Sequence, residues 1–123
     1  MTNDYSNPQI KQQEGTLSVD VYFKDDELVI IAPIAGAIME NIDLVVQGEI
    51  LVIKGSRLPP EQIDESQYEH KECFWGSFSR TIALPKNLDL NQIKAYYHNG
   101  ILMVKIPKKG DSEVKRIQIQ ASE

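Results

Sequence analysis

The sequence predicts an all-β fold, an antiparallel β-sandwich of about seven to eight strands. Three observations carry that prediction. Apolar residues recur at every second position in short runs, as in Leu17, Val19, Val21 and Phe23, and again in Leu102, Val104 and Ile106. That period sends alternate side chains to opposite faces of a strand. Turn signals separate the runs at close spacing: Asp25-Asp26, Gly48-Glu49 and Asn99-Gly100. Almost no stretch carries the three-and-four spacing of a helix, and many short strands without helices bury their faces against one another as two packed sheets.

Each element follows from its own residues. Residues 1–15, MTNDYSNPQIKQQEG, are polar and patternless and are expected to form an N-terminal arm. They carry neither the apolar core nor the basic lead of a signal peptide. Residues 17–23 alternate as a half-buried strand, and residues 24–26 form its turn. Residues 27–33, ELVIIAP, are apolar on both faces, which suits a central strand. A loop over 35–41 leads to a third strand, 42–47, and a fourth, 50–55. Residues 57–72 form a long connection: Pro59-Pro60 stops a strand, and Glu61, Asp64, Glu65 and Glu69 keep it in water. Within it, residues 68–72, YEHKE, are suited to a short edge strand. In residues 73–85, CFWGSFSRTIALP, Phe78, Arg80, Ile82 and Leu84 fall on one face. Asp89 stands where it would cap a single helical turn. Asn99-Gly100 then joins the strand 93–97 to a final strand that ends at Pro107, where the backbone donor is missing. Residues 108–123 are a polar tail containing Ile117-Gln118-Ile119.

Composition bounds the function. A chain of 123 residues fits one domain with a modest core. Its net charge of −5 argues against a nucleic-acid partner. The apolar runs are far too short to span a bilayer, so no membrane partner is expected. A single cysteine, Cys73, rules out an internal disulfide and points to a cytoplasmic setting.

Catalytic motifs are missing. There is no phosphate-cradling glycine loop and no nucleophile elbow, so neither an enzyme nor a cofactor is expected. His70-x-x-Cys73, even with His98, falls short of the three or four ligands a metal needs and reads as two surface residues. Arg80 has two readings: a packed stem with its head in water, or a charge paired at an interface. Trp75 fits a core, a dimer contact or a client surface. Ile117 and Ile119 point the same way from an extended segment, so they suit two adjacent pockets at a sheet edge, or else a frayed terminal strand.

Three stretches together resemble one family. AYYHNGILMVKIP, LVIKGSR and CFWGSFSRTIALP, in that fold context and followed by Ile-x-Ile, are similar to the signature segments of the small heat-shock protein (α-crystallin) family. The resemblance covers residues 16–108 and the tail motif. It implies an immunoglobulin-like sandwich over 16–108, a short flexible arm over 1–15 and an anchoring tail over 109–123. It implies an ATP-independent holdase that binds unfolded client proteins, without cofactor or metal, and assembles as a homodimer and higher homo-oligomer. It places Ile117 and Ile119 as the oligomer anchor, received by a groove between strands 42–47 and 93–97. Leu44, Val46 and Ala95 would line that groove, their alternative role being ordinary core. In bacterial and plant relatives the long loop carries a strand to the neighbouring subunit, which would put Tyr68, His70 and Arg80 at the dimer interface. Two features depart from the pattern: Ala35-Gly36 replaces the usual Pro-Gly, and the arm is polar, with only Tyr5 and Ile10 standing out. The competing readings are a co-chaperone-like sandwich that docks one folded partner, and a family member reduced to a dimer.

Overall fold

A computed structural model describes residues 15–110 and 117–122. The expected arm, apart from Gly15, lies outside the described residues, as do residues 111–116 of the tail. The strands are β1 (Gly15–Thr16), β2 (Asp20–Lys24), β3 (Glu27–Pro33), β4 (Asp43–Gln47), β5 (Ile50–Arg57), β6 (Gly76–Ala83), β7 (Lys94–His98) and β8 (Ile101–Pro107). They form two four-stranded sheets, ordered β1-β6-β5-β4 and β2-β3-β8-β7. The short β1 runs parallel to β6, and every other pairing is antiparallel.

The core lies where the period-two runs of the two sheets face each other. From one sheet come Leu28, Ile30 and Ala32 of β3, each directly opposite Ile106, Val104 and Leu102 of β8. From the other come Leu51 and Ile53 of β5 with Phe78 and Ile82 of β6. All of these are buried. Burying such side chains contributes about 1.5–3 kcal/mol each relative to leaving them exposed. β3 is interior to its sheet, as its two apolar faces required. On its outer face Val29 is buried too, flanked by its register partners Tyr22 and Lys105.

The turns adopt the geometry their residues favour. Asn99 and Gly100 have φ of 52° and 75°, and Asp25 and Asp26 have 52° and 61°. Left-handed pairs of this kind match the twist of the strands they join. The capping expectation at Asp89 holds: its carboxylate accepts from the Asn91 amide at 3.1 Å and starts a 3₁₀ turn over Leu90–Gln92.

Two strand expectations need correction. The alternating run 17–23 is not one half-buried strand. Leu17 is buried and Val19 partly so, but the strand begins only at Asp20, and β2 is exposed along its whole length. Val21 and Phe23 do face inward, opposite Ile30 and Leu28. However, β2 is an outer strand, and the facing sheet ends there in the two-residue β1. Residues 68–72 form no strand within the subunit either. A strand exists through its ladder, and this segment follows a 3₁₀ turn (Glu65–Gln67) without pairing to any edge of its own sandwich. Among the described residues no helix is long and apolar enough to cross a membrane.

Candidate assembly surfaces

A sandwich of two open sheets leaves outer strands whose backbone groups face away from any ladder. Here those strands are β1 and β4 in one sheet, β2 and β7 in the other. Leu44 and Val46 of β4 and Ala95 of β7 lie on two of them.

Between β4 and β7 lies an apolar groove of about 140 Å³. Leu44 enters it from β4, whose inward residues Leu44 and Val46 stay half-buried because β4 has no neighbour on its outer side. Ala95 and Tyr97 enter from β7. They sit opposite Val104 and Leu102 in the register and so share the core-facing side. Met39 and Ile42 also line it, brought in by a 3₁₀ turn over Met39–Asn41. The Tyr97 hydroxyl donates to the Ile34 carbonyl at 2.5 Å and also approaches the Ala37 carbonyl at 3.4 Å. That bond ties the end of β7 to the loop that carries Met39.

Of the three expected groove residues, Leu44 and Ala95 line this groove. Val46 does not; it is half-buried against the core further along β4. Sequence reasoning missed Met39, Ile42 and Tyr97. Continuing the alternation from Ala95 by two residues would have found Tyr97, but the turn that delivers Met39 has no periodic signal.

The tail residues stand apart from the sandwich. Residues 117–122 have no regular structure, and Ile117 and Ile119 are 84% and 92% exposed. The frayed-strand alternative is thus not what the subunit adopts: these two side chains lie outside its own sheets.

The second candidate surface is the long loop, residues 58–75. The loop folds on itself. Lys71 pairs with Glu65 and lies 4.9 Å from the centre of the Tyr68 ring. Pro59, Ile63, Tyr68, Cys73, Phe74 and Trp75 line a cleft of about 430 Å³. Trp75 is half-buried, with its ring over Gly36; a Cβ at that glycine would lie 2.9 Å from Trp75 Cζ3. Gly36 has φ of +83°, so the glycine retained from the expected Pro-Gly meets two demands, backbone angle and clearance for the ring.

Arg80 matches neither of its expected readings in full. It is half-buried on β6, and Nη1 donates to the Leu17 carbonyl at 2.8 Å. Within the subunit its partner is a backbone oxygen. Tyr68 and His70 sit on the loop, and no hydrogen bond or ion pair among the described residues joins either to Arg80. Cys73 is an exposed free thiol. Among the described residues no three His, Cys, Asp or Glu side chains gather as metal ligands would.

Taken together, these features define a β-sandwich built to associate: open sheet edges, an apolar groove between two of them, and a projecting tail with two exposed isoleucines. Comparison with known proteins gives the family. The Hsp20/alpha crystallin family pattern matches residues 20–120. Small heat shock protein C4 of Rickettsia felis is 37% identical over 100 residues, spanning 81% of this chain and 61% of the relative's length. Small heat shock protein C2 of the same organism is 30% identical over 118 residues, spanning 94% of this chain and 77% of the relative. The solved small heat-shock protein of Xylella fastidiosa superposes with a TM-score of 0.76 at 28% identity, covering 89% of this chain and all of that one. Heat shock protein 16.0 of Schizosaccharomyces pombe gives 0.70 at 30% identity, with the same coverage of this chain. The chain belongs to the Hsp20/alpha crystallin family, the small heat-shock proteins, whose members are known as ATP-independent chaperones.

Proposed function

We propose that this chain is itself an ATP-independent holdase that keeps partly unfolded proteins from aggregating in the cytoplasm. The observation that carries the reading is the joint presence of an exposed Ile117-Gln118-Ile119 and an apolar groove between β4 and β7. The tail of one subunit docks in the groove of another, with Ile117 and Ile119 against Leu44 and Ala95. Burying two isoleucines contributes roughly 3–6 kcal/mol before ordering costs. Ordering the tail offsets much of that, so docking is weak and reversible. The tail is long enough: its span from Pro107 to Ile117 reaches about 33 Å when extended. Undocking exposes apolar surface on which a client can settle. A chaperone that binds only the unfolded form withdraws it from aggregation by mass action, without chemistry. Many weak contacts multiplied by assembly supply avidity.

The dimer forms at the second surface. The loop 58–75 of one subunit supplies the segment 68–72 to the open β2 edge of its partner, and Tyr68, His70 and Arg80 lie along that contact. Two features support this: β2 has no outer neighbour, and residues 68–72 pair with no strand of their own subunit. The Xylella relative is described with a distinct high order structure, and a homodimer assembling further is the corresponding state here.

Light scattering of a thermolabile client tests the activity. The expected result is suppression of heat-induced aggregation at equimolar chaperone, without nucleotide. No suppression, or an absolute need for ATP, would refute the holdase reading.

A further inference from the structure

We propose that Met39 is an oxidation-sensitive gate on the β4–β7 groove, and that its conversion to the sulfoxide by hydrogen peroxide releases the tail. The proposal rests on the docking reading above and adds to it a modification site and a regulating chemistry.

The geometry sets Met39 apart from the other methionines. Of the three in the chain, Met1 lies outside the described residues, and Met103 is half-buried on the outer face of β8. Met39 is 60% exposed and at the same time lines the groove. Its turn is short and hydrogen-bonded, with the Asn41 amide donating to the Ile38 carbonyl at 2.8 Å and the Ile42 amide to the Met39 carbonyl at 3.1 Å. Met39 is thus presented to solvent beside the groove from a defined backbone position.

Its neighbours make the oxidised form a poor lining. Ile42, Leu44, Ala95 and Leu102 offer no side-chain donor, and the Tyr97 hydroxyl already gives its hydrogen to the Ile34 carbonyl; Tyr96, the remaining neighbour, alternates to the outer face of β7, opposite Met103. A thioether is apolar and polarizable and packs well on aliphatic and aromatic groups. A sulfoxide carries a strong acceptor oxygen, and a tail lying over it would bury that oxygen away from water. In the step itself a sulfur lone pair attacks one peroxide oxygen. An S–O bond forms, the O–O bond breaks, and the other oxygen leaves as water after proton transfer. Sulfur loses the two electrons that the peroxide gains. Methionine sulfoxide reductases reverse the change with thiols as reductant.

The coupling runs both ways. Oxidation weakens docking, and docking in turn slows oxidation, because the tail covers the sulfur. Peroxide would then act as a signal that dissolves the assembly and uncovers its apolar groove under oxidative stress.

The test compares full-length chains in a Cys73→Ser background, which removes the thiol. Each is treated with hydrogen peroxide, followed by peptide mapping and native mass spectrometry. Four chains are needed: the background, Met39→Leu, Met39→Gln as a polar mimic, and Ile117→Ala with Ile119→Ala. The background is expected to fall from oligomer to dimer as Met39 sulfoxide accumulates, and to recover with the reductases. Met39→Leu should stay assembled under the same peroxide. Met39→Gln should be dissociated without peroxide, with tail affinity lowered about tenfold. Met39 should oxidise several-fold faster in the double isoleucine variant than in the background. If that variant keeps the mass of the background, tail docking is refuted, and the gate with it. If it falls to dimer but Met39→Leu dissociates in peroxide as readily as the background, the gate alone is refuted. Equal rates of Met39 oxidation with and without the isoleucines would also overturn it.

Discussion

Single residues decide how the loops are held. Gly36 combines a left-handed backbone with the close approach of Trp75. Gly36→Ala is expected to cost about 1–2 kcal/mol, from backbone strain and displacement of the ring. Trp75 is the chain's one tryptophan, so its emission should shift to the red in the same variant as the ring loses its cover. A variant with an unchanged thermal midpoint and emission would show that the contact does not matter. The opposite sign is expected at Asp26. Asp25 and Asp26 both adopt positive φ in the β2–β3 turn, and Asp-Gly is the sequence this geometry favours. Asp26→Gly should stabilise the fold by about 0.5 kcal/mol, because glycine relieves strain that an L side chain bears there. A thermal melt that moves down instead would contradict this.

Among elements, β2 and the loop 58–75 make the sharpest case. β2 is exposed on both faces and unpaired on its outer side, so its backbone groups and the inward side chains Val21 and Phe23 remain available. Only Lys108 lies over Phe23, 4.7 Å from the ring centre. Deleting residues 62–68 removes the 3₁₀ turn and Tyr68 while leaving every strand in place. The expected product is a folded monomer by sedimentation velocity, with the circular dichroism of a β-sandwich. A dimer of undiminished stability would move the interface elsewhere, for instance to residues 73–79. The groove is a property of element edges as well. β4 and β7 each pair on one side only, and this keeps Leu44 and Ala95 from being absorbed into the core.

At the scale of the whole molecule, folding and assembly use different residues. The core uses β3, β5, β6 and β8, and the described tail residues 117–122 contribute nothing to it. Replacing Ile117 and Ile119 by Ala should therefore leave the thermal midpoint within a few degrees while the mass falls from oligomer to dimer. Size-exclusion chromatography with light scattering reads this directly. An unfolded product would place the isoleucines in the core, against their exposure here. The separation has a physical basis. A core residue is held by neighbours on every side, whereas two isoleucines on an extended segment gain only what one groove covers, less the entropy of ordering the segment.

The local chain determined most of the sandwich. Alternation in residues 50–55 and 101–107 and the run 27–33, apolar on both faces, with turn residues between them, specified strands and buried faces, because side-chain direction in a strand is fixed by parity. Asp89 announced its cap, and Asn99-Gly100 its turn, through chemistry confined to a few neighbouring residues. The family was legible for the same reason, in motifs each carried by a short continuous stretch. What the tertiary structure alone decided concerns edges and juxtapositions. Parity put Val21 and Phe23 on an inward face, but only the sheet order left that face uncovered. Residues 68–72 suit an edge strand by sequence, yet a strand needs a partner edge, and their own subunit provides none. Leu44, Val46 and Ala95 looked equivalent as alternating apolar residues. The placement of β4 beside β7 set Leu44 and Ala95 in the groove and Val46 against the core. Met39 joined them through a turn whose position depends on the Tyr97–Ile34 hydrogen bond, a contact between residues far apart in the chain that no local pattern encodes.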